Sequence, residues 1–215
     1  MKKVYIYEGF ERFWHWTQAL LILFLAFTGF EVHGSYSFFG YENAVVYHRY
    51  AGWALLILYV FAAFWHLTTG EVKQYIPTPK NMIAQIQYYL IGIFKNAPHP
   101  TKKNRLSKLN PLQKITYFFL MAFIMPLMMI SGLLYFYYRL PQANIIDPIN
   151  ISGLGTIALW HTIGAYFLII FLVGHLYLIT TGHTVLTNLK AMITGWEDID
   201  DENDEHNKVD KIENI

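Results

Sequence analysis

The chain has 215 residues, of which 54% are hydrophobic, 18% aromatic and only 14% charged, and its formal net charge is +1. That profile is membranous rather than soluble, the net charge says little, and no nucleic-acid partner is expected. Cysteine is absent, which excludes disulfides, cysteine-ligated iron–sulfur clusters and covalently attached c-type haem.

The N-terminus, Met1-Lys2-Lys3, runs through a polar Tyr7-Glu8-Gly9 into a full-length apolar segment without a small-residue cleavage site, so no cleavable signal is expected. Four segments, about 13–32, 44–69, 115–138 and 156–181, are apolar enough to cross a hydrocarbon layer of about 30 Å. The connection between the second and third, Glu71–Lys114, carries eight basic residues; the connections His33–Asn43 and Arg139–Gly155 carry only Arg139. The bias of Lys and Arg predicts both termini and the long middle connection in the cytoplasm, with the first and third helices running outward. Trp14, Trp16, Trp53, Trp65 and Trp160 fall near segment ends, as interfacial belts require.

Within the middle connection, 81–95 is apolar but interrupted by Gln85 and Gln87, and it is too short to span. It predicts a helix lying in the interface, in contact with lipid. After Gly195 the composition turns acidic, and a segment so poor in aliphatic residues cannot bury a core. The expected organisation is an all-α membrane domain of four helices over residues 1–196, followed by an acidic cytoplasmic tail over 197–215. No internal repeat and no soluble domain is evident.

Nine histidines carry the chemistry. His161 and His175 are 14 residues apart on one apolar segment without Lys, Arg, Asp or Glu, a rise of about 21 Å and nearly four turns, so both rings leave one face of the helix. An imidazole in hydrocarbon is costly without a partner. Two at different depths suggest two metal centres stacked across the membrane, and haem held by single imidazoles from facing helices fits. Depth sets His48, at the outer end of the second helix, opposite His161. His15, His66 and His183 all lie toward the inner side and are candidates to face His175; His66 shares the face of His48. His33 sits on the outer connection, and His99 and His206 lie in polar segments. Most of the seven methionines cluster in Met121–Met129, where packing is the expected role. Gly52, Gly132, Gly164 and Gly174 would let a macrocycle or a neighbouring helix approach.

The ordered pieces Arg12-Phe13-Trp14-His15-Trp16, Thr28-Gly29, His48-Arg49-Tyr50-Ala51-Gly52, Asn110-Pro111-Leu112-Gln113-Lys114, Ser131-Gly132, His161-Thr162-Ile163-Gly164-Ala165, His175-Leu176-Tyr177 and Ala191-Met192-Ile193-Thr194-Gly195 have a familiar order. Over roughly residues 8–197 the chain resembles the four-helix di-haem cytochrome b subunits that anchor membrane-bound hydrogenases, formate dehydrogenases and thiosulfate reductases, within the bacterial cytochrome b561 group. The resemblance implies two haem b groups, one held by His15 and His175 on the inner side and one by His48 and His161 on the outer side. It implies menaquinone or ubiquinone as the exchangeable substrate, beside the inner haem near Asn110. Gln113 and Lys114 match the same motif. His66 and His183 match no ligand position. Arg12 and Arg49, adjacent to ligands, and Arg139 suit haem propionates.

The implied function is electron transfer in a bacterial inner membrane between the quinone pool and a partner subunit, iron–sulfur or multihaem, on the periplasmic side. The alternatives are a standalone cytochrome b561 shuttle and, remotely, a haem-free scaffold or transporter.

Overall fold

Hydrocarbon offers no water to backbone amides, so a crossing segment must satisfy them within itself. The computed structural model describes residues 2–95, 97, 100–101, 108–138, 153–182 and 184–199; the expectations for His99, His183, His206, Arg139 and the tail beyond Ile199 lie outside them. In chain order the elements are β1 (Lys2–Tyr5), α1 (Gly9–Val32), α2 (Tyr41–Thr69), α3 (Met82–Leu90), α4 (Pro111–Phe119), a π-helical turn (Leu120–Ile124), α5 (Met125–Tyr138), α6 (Leu154–Ile179), α7 (Thr187–Thr194) and β2 (Trp196–Ile199). Among the described residues four runs have the length and apolarity to cross a membrane: α1, α2, Pro111–Tyr137 and α6. The fold is an all-α, four-span membrane bundle.

The helices begin earlier than hydropathy alone places them. Polar groups, not apolar ones, set the starts. The Glu8 amide donates to Glu11 Oε2 at 2.7 Å, so α1 opens at Gly9 rather than near residue 13. Asn110 and Gln113 form a reciprocal capping box: the Gln113 amide donates to Asn110 Oδ1 at 2.8 Å and the Asn110 amide to Gln113 Oε1 at 3.0 Å. That box starts α4 at Pro111, where a missing N–H costs nothing. At the far end, α6 stops at Ile179 and the Thr180 and Thr181 hydroxyls turn back to the Tyr177 and Leu178 carbonyls.

The chain forms two compact units. One comprises Trp14–Val72 and Tyr117–Gly174. Its buried centre is Leu55, Leu120, Ile124 and Met125, against which Leu25, Tyr59, Leu168 and Phe171 pack. Most of its other large side chains face outward: Leu20, Phe64, Ile170 and Val173 are 64–66% exposed, which is stable only in lipid. The π turn lies in this centre. Pro126 has no N–H to continue the ladder, and the Met125 amide reaches back to Leu120 O. Met121 O is thereby released, and the Tyr59 hydroxyl donates to it at 2.7 Å.

At one end of this unit the turn between α1 and α2 hangs on one carboxylate oxygen. Glu31 Oε1 accepts the amides of Phe38, Phe39 and Gly40 at 2.7, 2.7 and 2.8 Å. The buried Glu31 side chain therefore fixes how α2 leaves α1.

The other unit comprises Met1–Phe13, Lys73–Thr116 and His175–Ile215. In it β1 and β2 pair antiparallel, with Lys3 opposite Asp198 and Tyr5 opposite Trp196. The acidic segment thus begins in a two-stranded ribbon rather than as free chain. Gly195, at φ 87°, turns the chain into β2, and its carbonyl accepts the Ile6 and Tyr7 amides. An added Cβ there would come within 2.4 Å of the Tyr5 ring, so the position demands glycine twice over. α3 occupies the predicted interfacial segment, with Ile83 and Leu90 exposed and Gln85 fully buried, its Oε1 accepting from Thr101 Oγ1.

Lys108 Nζ donates to both oxygens of Glu11 at 2.7 Å, and both side chains are buried. Removing one partner of such a pair strands the other charge, a cost of about 3–5 kcal/mol. Lys108→Met is expected to lower thermal stability in detergent markedly, and Glu11→Gln with Lys108→Met to recover most of that loss, read by the helical circular dichroism signal.

Candidate functional site

The second and fourth spans each bring one imidazole to the same place. His48 lies two turns into α2 and His161 two turns into α6, and their ring centres are 6.2 Å apart at an interplanar angle of 71°. Each ring is held from the helix that precedes its own. Thr28 Oγ1 on α1 lies 3.0 Å from His48 Nδ1, and Ser131 Oγ on α5 lies 2.9 Å from His161 Nδ1. Beside each hydroxyl is a glycine against which the ring rests. A Cβ at Gly29 would meet His48 Cε1 at 3.3 Å, and one at Gly132 would meet His161 Cε1 at 3.4 Å. The two halves of the site are built alike: hydroxyl and glycine on one helix, histidine on the next.

These residues fit haem iron. With Nδ1 engaged, Nε2 is the nitrogen left for a metal. Two imidazoles this close could both reach one metal ion at the usual nitrogen distance of about 2.0–2.1 Å. Among the described residues no group of three or more His, Asp or Glu could hold a metal ion. A lone histidine pair leaves a tetrahedral zinc site half filled, whereas a macrocycle supplies the other four ligands and needs only two axial ones.

The remaining candidates divide. His15 packs edge-on against Trp16 at 5.1 Å and belongs to one compact unit; His175 belongs to the other. His66 is buried, its Nδ1 2.7 Å from the Ala62 carbonyl of its own helix, with Trp14 and Trp65 rings at 5.0 and 4.9 Å. It is a histidine packed among tryptophans. Arg49 lies over the Tyr50 and Phe136 rings at 5.4 and 5.7 Å. Arg12 donates to the Ile193 carbonyl at 2.7 Å and reaches the Tyr5 hydroxyl at 3.5 Å, so it anchors the end of α7. Asn110, buried in its capping box, donates from Nδ2 to the Tyr89 hydroxyl at 3.0 Å. Burial pushes the Tyr89 phenol above its usual range, against the lowering effect of the Asn110 bond. Gly164 accommodates Met128, whose sulfur would be 2.6 Å from an added Cβ, whereas Gly52 and Gly174 meet nothing within 4 Å.

Thr28 and Ser131, which the sequence offers only as pieces of the family pattern, meet the two imidazoles. Their signal was the glycine that follows each. His33 also lies nearer the site than its place in a connection suggested: its Nε2 is 3.4 Å from the hydroxyl of Thr162, next to His161.

Gly29→Ala is expected to displace the His48 ring and weaken cofactor retention, at an overpacking cost of about 1–3 kcal/mol. Gly155→Ala, where an added Cβ meets nothing within 4 Å, should leave it intact. Haem-to-protein ratio after purification checks both.

Residues 6–195 match the family described as prokaryotic cytochrome b561. The chain is 30% identical over 204 residues to the putative cytochrome YdhU of Escherichia coli (strain K12), covering 91% of this chain and 75% of that one. It is 24% identical over 220 residues to a probable Ni/Fe-hydrogenase B-type cytochrome subunit of Azotobacter chroococcum mcd 1, covering 90% of this chain and 88% of that one. Histidines paired across apolar spans and a match along nearly the whole chain agree: the protein belongs to the prokaryotic cytochrome b561 family and is a multi-pass membrane cytochrome of the haem b type.

Proposed function

We propose that the protein carries electrons between the quinone pool of a bacterial inner membrane and a partner redox subunit, using two haem b groups at different depths. The observation that carries this reading is the facing pair His48–His161, each ring oriented by a hydroxyl from the neighbouring helix. Bound haem supplies one-electron chemistry; the polypeptide holds, orients and insulates it. His48 and His161 would supply the outer axial ligands. His15 and His175 would supply the inner ones, as the Arg12–Trp16 motif and the 14-residue spacing on α6 support. His66, with Nδ1 turned to its own backbone, is the weaker inner candidate. Arg49, steadied by two aromatic faces, is the better placed arginine for an outer propionate, because Arg12 already serves the Ile193 carbonyl.

Menaquinone or ubiquinone would exchange electrons near Asn110 on the cytoplasmic side. Its amide has two hydrogens; Tyr89 takes one, and the second suits a quinone carbonyl. A relative named as a hydrogenase cytochrome subunit supports a dedicated partner, here an iron–sulfur or multihaem subunit docking on the periplasmic side.

Three outcomes test the reading. Pyridine haemochrome assay should give about two haems per chain, with His48→Ala and His161→Ala removing one and the same haem, and His15→Ala and His175→Ala the other. A ratio near one overturns the scheme. Asn110→Asp keeps the capping oxygen but loses the amide donor. It should slow haem reduction by a menaquinol analogue about tenfold, which is about 1.4 kcal/mol, without lowering thermal stability. Unchanged kinetics would move the quinone elsewhere. Mild solubilisation from native membranes should co-purify a redox subunit; its absence would favour a standalone shuttle.

A further inference from the structure

We propose that the Thr28 and Ser131 hydroxyls are positioning residues that hold down the reduction potential of the outer haem. They would do so by keeping the proton of each axial imidazole on Nδ1 and drawing on that N–H. This rests on the reading of His48 and His161 as axial ligands.

A hydroxyl has one hydrogen to give. Thr28 Oγ1 lies 2.9 Å from Phe24 O and 3.3 Å from Leu25 O, and Ser131 Oγ lies 2.5 Å from Leu127 O and 3.3 Å from Met128 O. A carbonyl only accepts. If the imidazole proton sits on Nδ1, the hydroxyl donates to its carbonyl and accepts from the ring, and both contacts are hydrogen bonds. If it sits on Nε2, the hydroxyl must leave its carbonyl to donate to the ring, and one of the two contacts is lost. The geometry therefore selects the Nδ1–H tautomer at both rings, the form that leaves the Nε2 lone pair for iron.

His66 shows what a histidine does when packing is all it provides. Its Nδ1 donates to the carbonyl four residues back on its own helix. His48 and His161 instead look across to another helix, and Gly29 and Gly132 keep that approach open. The hydroxyl is polarised by its own donation to a carbonyl, which makes its oxygen a better acceptor. An N–H drawn toward such an acceptor leaves more electron density on the ring. The ligand becomes more basic, and the ferric state is favoured over the ferrous. Both axial rings feel the same pull, so the effects on one iron reinforce.

The bland reading is that each hydroxyl merely bonds back to its own helix. The two readings differ in a redox titration of the purified full-length protein, followed by haem difference spectra. Thr28→Val and Ser131→Ala remove the acceptors; Thr28→Ser and Ser131→Thr keep them. Each removal should raise the midpoint of one haem, shifting its ferric-to-ferrous ratio at fixed ambient potential about threefold. The double variant should shift it about tenfold, which is 59 mV for one electron. The hydroxyl-keeping variants should titrate as wild type, and the second haem should not move. The proposal is overturned if neither midpoint moves, if both move together, or if the hydroxyl-keeping variants shift as far as the removals. Should the double variant lose haem, the two single variants decide. His48→Ala separates the two levels of inference. If it leaves both haems bound, the ligand reading itself fails; if it removes one haem while Thr28→Val changes no midpoint, only the role of the hydroxyls fails.

Discussion

An imidazole placed in hydrocarbon has two ring nitrogens and no water for either. Where those nitrogens go decides the local architecture. At His48 and His161 each Nδ1 is met by a hydroxyl from the adjoining helix, and that contact requires the two helices to approach closely at one level. The glycines beside the hydroxyls allow the approach, and the Glu31-bound turn fixes the first pair at its end. At His66 the Nδ1 demand is met within one helix, by the Ala62 carbonyl.

The same scarcity of partners governs the rest of the spans. Apolar side chains are left facing lipid, because burying them against protein gains little over hydrocarbon. Polar groups are confined to helix ends, where each is doubly used: Glu11 caps α1 and neutralises Lys108, Asn110 caps α4 and binds Tyr89. Deep in the bundle, the Tyr59 hydroxyl answers the Met121 carbonyl that the π turn had released.

The four spans were legible in the sequence because hydropathy over about 20 residues is a strong local signal. Their ends were not, since Glu8–Arg12 and Asn110–Lys114 read as polar connection until their capping bonds are seen. The facing of His48 and His161 followed from depth alone. Their hydroxyl partners did not, because serine or threonine in an apolar helix ordinarily bonds to its own backbone, and Thr28 and Ser131 do that as well. The β1–β2 ribbon joins segments nearly two hundred residues apart, a pairing no local pattern encodes. For Asn110 the resemblance implied a place beside the quinone; the structure shows it capping α4 and donating to the Tyr89 hydroxyl.

The duplicate construction of the outer site bears on how the protein is made. Thr28, Gly29 and His48 all lie in the first hairpin, and Ser131, Gly132 and His161 all lie in the second. Each hairpin can enter the membrane during synthesis with its own imidazole already oriented, and the first with its turn already tied by Glu31. Neither needs the other to satisfy its backbone or its ring Nδ1. A cofactor held by both would then be a late staple. It would select, from two hairpins already inserted, the side-by-side arrangement in which His48 and His161 face each other.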